Sequence, residues 1–219
     1  MRFPTPGFLT IACVAGLSAL PVDAQEDGAA CPRGPATETL YIDFENGRAQ
    51  TRMDSDGNTI ERDIGFGDQT VFEFIVHPIG LILEGWEIQG GERRPGTLER
   101  STYVGTPETL PLPAPGVTWK GVETTVFPDG EVIENETSLE VGAMQTVSIG
   151  PCEYDTMPIT IELVGVGDGS QSVVTLARIE DLDVTIYLNN YDRGESRALN
   201  LPETISTTPP DTWLQDSKN

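Results

Sequence analysis

The sequence predicts an all-β protein, an antiparallel sandwich or barrel of about a dozen strands, on three observations. Helical periodicity is nearly absent. Segments of roughly four to nine residues rich in Val, Ile, Thr, Tyr and Phe recur at short intervals. Between them stand Gly, Asn, Asp or Pro, residues that reverse or interrupt a strand.

The chain opens with Arg2, an apolar run from Phe8 to Leu20 broken only by Thr10, Gly16 and Ser18, and the small-x-small pattern Val22-Asp23-Ala24. This order is that of a secretory signal peptide over residues 1–24, with a run too short to span a bilayer. A lipoprotein start at Cys13 is the rival, but the apolar run before that cysteine is only five residues long. With Cys13 lost in the leader, Cys31 and Cys152 are left, and in an oxidising compartment they are expected to form a disulfide. Closing about 120 residues, it would contribute roughly 4 to 5 kcal/mol.

Residues 25–37 hold little besides Cys31 that could pack, and are expected to be flexible. The β domain is expected over 38–206. Its first strands fall at 38–45, 48–53, 58–63, 69–77 and 81–89, separated by Asn46-Gly47, Asp56-Gly57 and further turn residues. Alternation is clearest in the fourth, where Phe72, Phe74 and Val76 share one face and Glu73 and His77 the other. Pro107, Pro111, Pro113 and Pro115 make 106–116 a stiff connector. Beyond it strands are expected at 117–127, 131–140, 144–149, 158–166, 171–179, 183–191 and 196–201, with turns at Asp129-Gly130, Asp168-Gly169 and Arg193-Gly194. Residues 207–219 are polar and read as a flexible tail.

The connector divides the domain into halves, 38–105 and 117–201. Each carries D-G-x-x-I-E, from Asp56 to Glu61 and from Asp129 to Glu134, which raises a duplication as one reading; a short match of turn and strand residues also arises by chance.

Composition bounds the function. The 219 residues carry 35 acidic and 13 basic side chains, a net charge of −22, so nucleic acid and anionic lipid are not expected partners. Strands that are short or acidic on both faces argue against a transmembrane barrel. Only two lysines occur, Lys120 and Lys218, and after the leader His77 is the one histidine. No nucleophile elbow, P-loop, zinc or dinucleotide signature appears, and no cofactor is expected. Asp54, Asp56 and Asn58 alternate as in the opening of a calcium loop, yet glycine falls at its fourth position and Gly65 occupies its twelfth; a D-G hairpin turn explains the same residues. Glu84, Glu87 and Trp86 would suit a carboxylate hydrolase with a sugar platform, although acids lie close together everywhere in such a chain. Trp86 and Trp119 are expected to pack rather than bind, and Asn135-Glu136-Thr137 is a glycosylation acceptor in a eukaryotic secretory route alone. The expectation is therefore a non-enzymatic exported protein, periplasmic or secreted, that binds an envelope component or a protein partner. The alternatives are a barrel that carries a small apolar ligand, which predicts a sequestered apolar cavity, and a carboxylate-dependent hydrolase.

Overall fold

Three hairpins of the chain turn in the same way, and this turn sets the pattern of the fold. Asp54, His77 and Phe127 each donate their N–H to the carbonyl four residues on, and accept from the N–H of a glycine three residues on. The glycines, Gly57, Gly80 and Gly130, have φ of 83°, 95° and 90°, a left-handed conformation that completes a three-residue loop matched to strand twist. The D-G-x-x-I-E likeness of the two halves falls on two of these turns, and the third has the same geometry on His77-Pro78-Ile79-Gly80. Shared turn geometry accounts for the D-G part of the likeness.

A computed structural model describes residues 31–45, 47–64, 71–195 and 199–210. Its strands are β1 Leu40–Phe44, β2 Gly47–Met53, β3 Thr59–Ile64, β4 Val71–Val76, β5 Ile82–Gln89, β6 Glu92–Arg93, β7 Glu99–Thr106, β8 Thr118–Val126, β9 Val132–Val141, β10 Gln145–Ile149, β11 Cys152–Gly165, β12 Gln171–Ile179, β13 Val184–Asp192 and β14 Thr204–Ser206. They form one antiparallel sheet in the order β13-β12-β11-β9-β8-β7-β5-β4-β3-β2-β1-β14, with β10 on β11 and β6 on β5. Among the described residues the sheet does not close, and β13 and β14 are its ends. The all-β expectation holds, as one coiled meander. No described helix is long and apolar enough to cross a membrane.

The coil shows in which faces are covered. Alternation and register place Tyr154, Ala177, Ile179 and Ile186 on one face of β10–β13, and Ile159, Ile161 and Leu176 on the other. Both sets are buried. The first packs with Leu40, Ile42 and Ala49 of β1 and β2 and with Ile205 of β14. The second packs with Trp119, Leu139 and Val141 of β8 and β9 and with Ile79 and Leu81 at the β4–β5 turn. The edge of β13 abuts the opposite end of the meander: the Thr185 N–H reaches Thr59 Oγ1 at 3.4 Å, and its hydroxyl donates to the Pro78 carbonyl at 2.6 Å.

Several elements differ from the sequence expectation. The strand at 158–166 begins earlier, at Cys152, and runs through Pro158. Its first part pairs with β10 and its second with β9, and the ladder breaks at Gly142–Met144, opposite Met157 and Pro158. Pro158 has no N–H to give, and its carbonyl accepts from Gly142 at 2.8 Å; proline is tolerated at such a bulge. Strands β6, β7 and β14 were not expected. The strand at 196–201 is not found: 199–201 is irregular, and 196–198 lies outside the described residues, as do 1–30 and 211–219. Within 31–37, expected to be loose, the chain is tied down. The Ala36 N–H bonds Leu182, the Ala36 carbonyl accepts from Met53, and the Arg33 guanidinium meets Asp181 at 2.5 Å and lies 5.0 Å from the centre of the Tyr154 ring. Cys31 and Cys152 form the expected disulfide, with Cα atoms 5.6 Å apart.

Candidate functional site

The face of β10–β13 that packs toward β1, β2 and β14 is apolar because β10, β11 and β12 alternate Val147, Ile149, Pro158, Ala177 and Ile179 onto it. β1, β2 and β14 cover only part of that face. Over the rest runs the irregular segment Leu199–Pro202, and between the two lies a cavity of about 240 Å³. Its lining includes Val147, Ile149, Pro158, Ala177, Ile179, Ile186, Leu188, Leu199, Leu201 and Pro202, with Gln145, Thr156, Thr160 and Thr175 as the polar members. Among the described residues no charged side chain contributes to the wall. Among the polar members the Thr175 hydroxyl is buried and has no hydrogen-bond partner among the described residues, an open donor and acceptor on a largely apolar wall. Leu199 and Leu201 are exposed on their outer side.

The residues singled out from sequence do not come together. Asp54 spends its carboxylate on its own turn: Oδ1 accepts from the N–H groups of Asp56 and Asn58 at 2.8 and 2.9 Å, and Oδ2 lies 3.3 Å from the Asn58 amide nitrogen. His77 also serves a turn, its Nδ1 accepting from the Ile79 N–H at 3.2 Å, while burial lowers its pKa. On β5, Glu84 pairs with Arg100 and Glu87 with Arg94, and the Arg93 guanidinium lies 3.6 Å from the centre of the Trp86 ring. Trp119 is a packing residue, buried, with its indole N–H on the Pro107 carbonyl at 3.0 Å and Tyr103 edge-on to it. The Asn135 amide donates to Glu123 at 3.0 Å, inside the ladder of β8 and β9.

Acids that sequence reasoning did not single out lie on the inner face of the first strands. Register puts Thr51, Glu61 and Phe74 side by side across β2, β3 and β4, with Ala49, Asp63 and Phe72 in the next row. Glu61 is buried, and burial and then the neighbouring Asp63 raise its carboxyl well above the usual range. Desolvation raises Asp63 as well. Glu99 is raised by desolvation and by the charge of Glu87. The alternation of Glu61 and Asp63 in one strand was visible in the sequence; which face was covered was not. On the opposite side of the sheet, Val104, Val122, Val126 and Val132 are exposed on neighbouring strands β7–β9.

No family model, curated protein or solved structure matches the chain.

Proposed function

We propose that this is an exported, non-enzymatic binding protein whose ligand is a small, uncharged, largely apolar molecule held between β10–β13 and Leu199–Pro202. The observation that carries the reading is the cavity itself, about 240 Å³ with no charged side chain among the described residues of its wall. A cavity of roughly 150 Å³ lined by apolar side chains already holds benzene, so this volume suits a ligand on the order of ten non-hydrogen atoms. The free Thr175 hydroxyl favours one hydrogen-bonding group on that ligand. Among the described residues a carboxylate would find no cation here, and it would meet the repulsion of a chain of net charge −22. The disulfide is compatible with export.

The test uses 1-octanol as probe, with native mass spectrometry of protein from its own source for the retained ligand. Octanol is expected to raise the melting temperature in a saturable way. Ala177→Phe, which fills the cavity, is expected to abolish the rise. Thr175→Val is expected to weaken octanol about 2- to 10-fold and leave toluene binding unchanged, as one hydrogen bond predicts. A melting temperature indifferent to both probes, with no mass excess in the native protein, overturns the reading and returns the choice to a partner surface such as the exposed valines of β7–β9.

A further inference from the structure

Glu61 and Asp63 are two residues apart on β3, so both side chains leave the same face. Glu61 is only 7% exposed, and the sole partner found for its carboxyl among the described residues is Asp63. Their flanks are apolar or neutral: Thr51 and Ala49 on β2, and Phe74 and Phe72 on β4, whose rings lie 6.1 Å apart. The nearby arginine of the same strand, Arg62, leaves the opposite face and is engaged by Glu73. A carboxyl buried as Glu61 is, beside a second carboxyl and away from basic side chains, is costly as a bare anion and is relieved by a proton or by a cation.

A second group makes the choice. Thr51 is 1% exposed, and its hydroxyl has no hydrogen-bond partner among the described residues. It stands directly opposite Glu61, an arrangement that puts Cβ atoms about 4.5 to 5.5 Å apart on one face. A shared proton satisfies the carboxyls and leaves Thr51 unpaired. A cation coordinated by all three satisfies every buried oxygen at once.

We propose that Glu61, Asp63 and Thr51 hold a hard divalent cation, calcium in preference to magnesium, on the inner face of the β2–β3 hairpin. Two carboxylates supply up to four oxygens and the hydroxyl a fifth. No three acidic, histidine or cysteine side chains converge among the described residues, so water completes the set, entering past the exposed Asp63. Calcium accepts six to eight oxygens in irregular geometry, whereas magnesium requires a near-ideal octahedron that a strand pair does not offer. The net charge of −22 draws cations to the surface. The site is distinct from the Asp54 turn, whose oxygens are already engaged.

The experiment is a thermal melt of the full chain with about 5 mM calcium chloride or magnesium chloride, at ionic strength matched with sodium chloride, where extracellular modules of millimolar affinity respond. Calcium is expected to raise the melting temperature by several degrees and magnesium by less. Glu61→Gln and Thr51→Val are each expected to raise the calcium dissociation constant at least tenfold, and Asp54→Asn to leave it unchanged. Thr51→Val keeps the volume of the side chain, so it serves if Glu61→Gln does not fold. An equal rise in the variants would mean general screening of the acidic surface, and loss of the effect in Asp54→Asn would place the ion in the turn. Either result, or no response to calcium, overturns the proposal.

Discussion

Glu73 shows how a charged residue on the outward face of a strand becomes buried. Alternation in the sequence placed it outward correctly. Its covering was not legible, because it comes from Arg62 eleven residues before it and Arg93 twenty after it, at 2.6 and 2.7 Å. Burial alone would raise the carboxyl; hydrogen bonds and charge from the two guanidinium groups outweigh that and hold it below its ordinary value of 4.5. A carboxyl depressed on folding contributes stability that is complete above its unfolded pKa and is lost as pH falls through the folded one. Glu73→Gln is therefore expected to cost about 2 kcal/mol at pH 7, as charge-assisted hydrogen bonds do. In urea titrations the gap between the variant and the parent protein should stay constant above the ordinary carboxylate range and shrink below it. A gap unchanged at pH 3 would mean that packing, not ionisation, supplies the difference.

At the level of elements, what the sequence disclosed depended on contrast. β12 was read with its observed bounds because apolar residues fill it between clear turns. β7 was missed because its residues alternate between polar side chains on both faces, with Tyr103 alone as a large inward group. Its place follows instead from its partner: Gly105 lies opposite Gly121, and the Trp119 indole rests on both. A Cβ at Gly105 would come within 2.5 Å of the indole, and one at Gly121 within 2.6 Å. Gly121→Ala is expected to destabilise the protein by about 2 to 3 kcal/mol through overpacking, whereas Gly47→Ala, with nothing within 4 Å, should stay within about 0.5 kcal/mol. Paired denaturant melts compare the two. The candidate sites were less legible than the strands, since the Thr51–Glu61 pairing and the bare Thr175 hydroxyl both depend on register and covering.

For the whole molecule, turn chemistry and alternation were enough to give the antiparallel all-β class. They were not enough to give the coil, which rests on contacts between the two ends of the sheet. Cys31–Cys152 bridges the two parts of the coil, tying the segment before β1 to the start of β11. Reduction, or Cys31→Ser with Cys152→Ser, is expected to lower stability by up to about 4 to 5 kcal/mol, and to leave the far-ultraviolet strand signal intact at low temperature. An unchanged melting temperature after verified reduction would show that the coil holds without the bridge.

The ladder of β1 bears on how the chain folds as it is synthesised. β1 is flanked on one side by β2, which follows it at once, and on the other by β14, whose Ile205 pairs with Ile42. A chain delivered amino end first exposes the outer edge of β1 while every other strand is still arriving. During that interval the edge is a template for a second copy, the hazard that unpaired strands present. The three-residue strand Thr204–Ser206 thus does more than lengthen the sheet. It is the cap whose late arrival ends the period in which nascent chains can join edge to edge.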